Sequence, residues 1–138
     1  MTDDDAAVLS DLLMRAGRAQ RRRWRDALAP WDLAPSQARA LRVIWEHPDT
    51  RVSDLAEALR IAPRSATEVA DGLQQRGLVE RTPDPRDRRA VILRPTAEGL
   101  RVRAEVETAR TADSRELFGR LSPEDRAVLG RLLRVLVD

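Results

Sequence analysis

Only two stretches of this 138-residue chain read as extended: LVERT at 78–82 and AVILR at 90–94. Both are rich in branched apolar residues, and turn formers separate them in the loop PDPRDRR, residues 83–89. They read as one β-hairpin. Every other periodic segment has helical spacing, so the expected fold class is mainly α with a single small hairpin. The hairpin tip is densely charged: the six positions from Asp84 to Arg89 hold three arginines and two aspartates.

The helical segments follow from spacing and punctuation. Residues 6–29 place Val8, Leu9, Leu12, Leu13, Ala16, Ala19 and Ala27 on one face, with Arg15, Arg18, Arg21, Arg22 and Arg25 on the other. Arg23 intrudes on the apolar side, and Pro30 ends the segment. A second helix runs from Pro35-Ser36 to His47-Pro48. Ser53 is the expected cap of a short helix, SDLAEALR. Pro63 suits the first position of the next helix, which reaches Arg76, with Gly77 as its C′ residue. Thr96 caps a long helix over 97–118, and Ser122-Pro123-Glu124-Asp125 opens the last one. A helical pair followed by a hairpin is the winged helix-turn-helix arrangement. The hairpin is then a wing that lies on DNA backbone or enters the minor groove, where arginine is favoured.

Composition excludes several alternatives. Charged residues make up 35%, and no apolar run is long enough to span a bilayer. MTDDDAAV lacks the basic region and apolar core of a signal peptide. Cysteine is absent, which removes disulfides, cysteine redox sensing and thiolate metal sites. A cytoplasmic protein without membrane partner or cofactor is expected. Net charge is only +2, yet the isoelectric point is about 10.6. All 25 basic side chains are arginine, so a small excess carries the isoelectric point high. Placement of the arginines is therefore better evidence for nucleic acid than the isoelectric point.

The segment PRSATEVADGLQQRG, 63–77, has the pattern of a groove-reading helix. Ala66, Val69, Ala70 and Leu73 form the inward face. Pro63, Arg64, Ser65, Thr67 and Glu68 occupy its N-terminal half, which faces base edges in a helix-turn-helix. Arg64 suits bidentate contact with guanine, and Ser65 and Thr67 suit phosphates or bases. Glu68 accepts a hydrogen bond from cytosine, or else pairs with Arg64 at i, i+4. Taken alone, this is equally a surface helix of a bundle; the hairpin behind it favours DNA.

The chain resembles MarR-type transcriptional regulators, the multiple-antibiotic-resistance family, through LAPSQARAL (33–41), VSDLAEAL (52–59), VADGLQQRGLVER (69–81), DPRDRRAVIL (84–93) and TAEG (96–99). The resemblance implies a homodimeric repressor on a pseudo-palindromic operator, released by a small aromatic or anionic effector. Residues 35–98 would form the DNA-binding lobe, reading through helix 63–76 and wing 82–90. Segments 6–34 and 99–138 would carry dimerisation. By matching position Arg86 and Arg89 are the wing-tip contacts, with Arg88 beside them, and Asp87 orients Arg89. Asp71 and Arg81 would fix the angle between helix and wing. The chain departs from the family pattern at Glu68, which prevents transfer of a half-site sequence, and at Pro95, which replaces the usual leucine before T-x-x-G.

Dimerisation also follows from the residues themselves. Val8 and Leu12 at one end, and Leu129, Leu132, Leu133 and Leu136 at the other, carry more apolar surface than a small lobe can cover. Trp24, Trp31 and Trp45 are candidate walls of an effector pocket; as residue types they are more often core. AGRAQRRRWR, 16–25, reads best as a solvated helix back, and the single histidine, His47, as a helix end. No nucleophile-and-base arrangement is visible, so an enzyme is not expected. The competing class is a winged-helix protein-interaction module without effector or specific DNA site, against which the arginines at 86, 88 and 89 argue.

Overall fold

The computed structural model describes residues 1–138. Its elements are α1 (Asp3–Ala27), α2 (Pro35–Glu46), α3 (Val52–Leu59), α4 (Pro63–Gln75), β1 (Val79–Asp84), β2 (Asp87–Pro95), α5 (Ala97–Phe118) and α6 (Pro123–Val137). The fold is mainly helical with one antiparallel hairpin, the winged helix-turn-helix expected from the sequence.

Capping chemistry sets most boundaries. α1 starts three residues before the expected position because Thr2 and Asp5 form a reciprocal capping box. It stops at Ala27, and residues Ala29–Trp31 form one 3₁₀ turn around Pro30. Ser53 is not the cap of α3. That helix starts at Val52, and Asp54 Oδ2 accepts the Arg51 amide hydrogen at 2.9 Å. Thr96 Oγ1 accepts from the Gly99 amide at 3.0 Å, and Ser122 Oγ from the Asp125 amide at 3.1 Å, so both long C-terminal helices start where their caps lie.

The core sits where α2, α3, α4 and the hairpin meet the N-terminal half of α5. Leu41, Ile44, Leu55, Leu73 and Leu93 are essentially inaccessible to solvent, and Leu28, just past α1, is buried with them. Each such side chain contributes roughly 1.5–3 kcal/mol on burial.

Both strands are longer than their apolar runs. The ladder pairs Val79 with Pro95, Arg81 with Leu93 and Pro83 with Val91, then closes at Asp84 and Asp87 after a register irregularity. Only Pro85 and Arg86 remain as the turn. In a two-stranded sheet each strand has one open edge, so a proline such as Pro83 is tolerated inside it. Leu93 also donates its amide to the Thr50 carbonyl at 2.7 Å, which fixes β2 against the segment before α3.

The TAEG segment has a packing reason. Thr96 Oγ1 donates to the Gly77 carbonyl at 2.6 Å, and the Thr96 amide to the Leu78 carbonyl at 3.0 Å. Gly77 adopts a positive φ of 70°, which turns the chain out of α4. A Cβ on Gly99 would lie 1.9 Å from the Leu78 carbonyl oxygen, a backbone atom with no room to retreat. Gly99→Ala is therefore expected to cost about 3 kcal/mol or more, in the tail of single substitutions. Chemical denaturation checks this; a change below about 1 kcal/mol contradicts the packing account.

α1 and α6 have no buried residue. Arg23, the charge on the apolar side of α1, is held by Asp113 of α5 at 2.8 Å.

Candidate nucleic-acid interface

The inward face of α4 is as the spacing requires: Ala66, Ala70 and Leu73 are buried and Val69 is half-buried. Its other face is open. Pro63, Arg64, Ser65, Thr67 and Glu68 are all exposed, and the Arg64 side chain is 93% accessible. Arg64 Nε lies 3.8 Å from Glu68 Oε1, a loose pair that leaves the guanidinium free to turn outward. Thr67 Oγ1 donates back to the Pro63 carbonyl at 3.1 Å, so its hydroxyl presents an acceptor to an incoming donor.

α4 and the wing are tied by side chains. Arg81 Nη2 of β1 lies 2.6 Å from Asp71 Oδ1 of α4, and Arg81 also donates to Gln74. A second tie holds the wing to α3. Arg51, immediately before that helix, donates to Asp84 Oδ2 through Nη2 at 2.7 Å and Nε at 3.1 Å. Asp84 is only 5% exposed and also accepts the Arg86 amide at 2.9 Å. The Arg86 amide first, and the Arg51 guanidinium second, hold its carboxyl below the usual carboxylate range. A carboxylate with a depressed folded pKa stabilises the fold above its ordinary value, about 3.9. That contribution is lost as pH falls through the lower folded value, so the wing anchor is intact at neutral pH.

Nothing in the local sequence pairs Arg51 with Asp84, 33 residues on; the contact exists only once the hairpin lies beside α3. Asp87 contacts Arg89, the residue it is expected to orient, through the backbone. Its Oδ1 accepts the backbone amide of Arg89 at 3.0 Å, not the guanidinium, because two residues of separation favour a turn-closing bond. Arg86, Arg88 and Arg89 are exposed and none forms an ion pair. The acids of the tip thus shape its backbone and leave its three cations uncommitted.

The three tryptophans do not converge. Trp24 lines a cavity of about 360 Å³ between α1, α2 and α5. Trp31 lies on the 3₁₀ turn, where its indole N–H donates to Glu105 Oε2 of α5 at 2.9 Å. Trp45 is covered by the guanidinium of Arg103, 3.8 Å from the ring centroid. Arg76, which no sequence pattern singles out, follows α4 and donates to the carbonyls of Trp31 and Asp32. His47 occupies the C-cap of α2. No cluster of three or more carboxylates or histidines could hold a metal ion, and no helix is long and apolar enough to cross a membrane.

Known proteins share this arrangement. The family model for the MarR family matches residues 33–91, from the segment before α2 into β2. Mb0904, an HTH-type transcriptional regulator of Mycobacterium bovis, is 31% identical over an alignment spanning 100% of this chain and 98% of its own. A MarR family protein from Bacillus stearothermophilus superimposes with a TM-score of 0.85 at 29% identity, over 99% of this chain and 95% of that one. Bordetella bronchiseptica BpsR, whose DNA binding is regulated by 6-hydroxynicotinic acid, superimposes with a TM-score of 0.78 at 25% identity, over 94% and 92% of the two chains. With the exposed α4 face and the arginine-tipped wing in place, these likenesses establish that the chain belongs to the MarR family of DNA-binding transcriptional regulators.

Proposed function

We propose that the protein is a cytoplasmic homodimeric repressor that grips a pseudo-palindromic operator with α4 and the wing of each subunit. The observation that carries this is the wing itself: three exposed arginines without partners, on a hairpin clamped to α4 by Arg81 and to α3 by Arg51. Such a clamp presents helix and wing to adjacent grooves as one body. Residues 35–98 serve as the DNA lobe, while 6–34 and 99–138 join the two copies. A two-fold dimer matches a two-fold site. The effector reading draws support from the Trp24 cavity and from the ligand-regulated relative BpsR.

Asp71 offers a test with a counterintuitive sign. The Asp71–Arg81 pair is partly exposed and contributes on the order of 0–1 kcal/mol to folding. Asp71→Ala should leave the melting temperature nearly unchanged. It should nevertheless weaken binding to a selected duplex several-fold, although it removes a negative charge beside phosphates, because Arg81 loses the acid that fixes the wing against α4. Fluorescence anisotropy at fixed salt measures this. Tighter binding would mean that Asp71 acts only as a repelling charge.

A further inference from the structure

Two charged residues at the start of α4 stand where folding does not call for them. Arg64 is the second residue of the helix, at the end where the backbone N–H groups make the dipole positive and disfavour a cation. Glu68 follows it at i, i+4, with the cation N-terminal to the anion, the weaker order for such a pair. Arg64 Nε and Glu68 Oε1 lie 3.8 Å apart, too far for a hydrogen bond, and their side chains are 93% and 71% exposed. Glu68 has no other ionic partner. The pair therefore adds little to the fold, and these residue types answer to what the helix faces.

Phosphate does not suit this face. A phosphodiester offers only acceptors and negative charge, and an ionised carboxylate is itself an acceptor and an anion. α4 carries one arginine against two acids, Glu68 and Asp71, so the element that enters the groove is itself anionic. Attraction to the backbone comes from arginines elsewhere, such as the three exposed ones at the wing tip. Thr67 sits beside Glu68 with its hydroxyl hydrogen spent on the Pro63 carbonyl at 3.1 Å. Two neighbouring side chains thus present acceptors only, and in the major groove the base amino groups are what can meet them.

The groove holds two kinds of amino donor. Adenine N6 lies beside the N7 acceptor, whose lone pair faces any anion brought to N6, whereas cytosine N4 has no acceptor beside it on its own base. Guanine O6 and N7 and thymine O4 are acceptors and repel a carboxylate. We propose that Glu68 is a specificity residue: it accepts a hydrogen bond from cytosine N4 and rejects the other three bases at that position, while Arg64 takes guanine O6 and N7 of the same or the next base pair. The 3.8 Å between the two charged groups is close to the spacing of about 3.4 Å between successive nucleotides of a strand. The wing then supplies affinity without regard to sequence, and the acid on α4 withholds it from wrong sequences. This rests on the operator reading above and names the base that one α4 contact selects.

The test is selection of duplexes from a random pool, run in parallel with the full-length protein and with Glu68→Gln. The unaltered protein should enrich cytosine at one position of each half-site. Glu68→Gln should shift that position toward adenine, which glutamine contacts at N6 and N7, and leave the other positions as they were. With an anion removed from beside the phosphates, it should also bind unrelated duplex about twofold or more tightly. A second measurement uses the unaltered protein and a modified site. N4-methylcytosine at the selected position still pairs with guanine but loses its groove-facing N–H. Binding should then fall about fivefold or more, the low end of what one good base contact discriminates, and Glu68→Gln should be indifferent to the methyl group. Identical base preferences in the two proteins, or equal sensitivity of both to the methyl group, would overturn the proposal and leave Glu68 as no more than a restraint on Arg64. An enriched inverted repeat that ignores Glu68→Gln leaves the operator reading standing without this one, whereas the absence of any enriched sequence overturns both.

Discussion

Leu132→Glu combined with Leu136→Glu is expected to convert the protein to a folded monomer and to weaken operator binding by about a thousandfold. These side chains are 47% and 68% exposed on a helix with no buried residue, and Val8 and Leu12 on α1 are each 52% exposed. Leu129 and Leu133 of the same stripe are only half-buried. A helix with an apolar stripe gains most of its stability from packing that stripe away, and a second copy of the chain offers the matching surface. The core lies between Leu28 and Val106, so the lobe should survive the change. Without the dimer each lobe grips one half-site alone. The difference between specific and non-specific binding, typically 10³–10⁷, is then largely forfeited. Sedimentation at micromolar concentration reads the first part, and removal of residues 121–138 should likewise give monomer or insoluble protein. A double variant that remains dimeric would place the interface elsewhere.

Arg86→Ala with Arg89→Ala should reduce DNA affinity about ten- to a hundredfold with the melting temperature unchanged. Both guanidinium groups are exposed and unpaired, and the neighbouring acids bond backbone amides instead. Surface changes of this kind usually alter stability by no more than about 0.5 kcal/mol. Removing an arginine that neutralises one phosphate should lower the slope of log affinity against log salt by about 0.9. If the arginines enter the minor groove, the weakening should instead grow with A·T content near the outer edges of the site. Arg88→Ala should have a smaller effect. Unchanged affinity and slope in the double variant would show that the wing does not touch DNA.

Local signals carried most of the architecture. Thr96 and Ser122 mark the starts of α5 and α6 because a cap is a contact across three residues, and Gly77 marks the end of α4 because its φ is positive. Signals that compete were less readable. Pro83 and Pro85 look like loop, yet β1 runs through Pro83 because it is paired on one side only. Ser53 looks like a cap, yet Asp54 one residue later takes the amide of Arg51. The contacts that orient the candidate site are tertiary and hence less visible in one sequence. Arg51–Asp84 and Arg76 with the Trp31 and Asp32 carbonyls join residues 33 to 45 positions apart. The resemblance pointed to Asp71 and Arg81, whose ion pair the structure contains, and to Asp87, which accepts the backbone amide of Arg89.

The central claim, a two-fold reader of a specific DNA sequence, is tested most directly by selecting bound duplexes from a random pool with the purified protein. Two identical lobes predict an enriched inverted repeat whose half-sites are centred about 10 base pairs, or a multiple of that, apart. Binding without any enriched sequence, or enrichment of a single unrepeated motif, would contradict it.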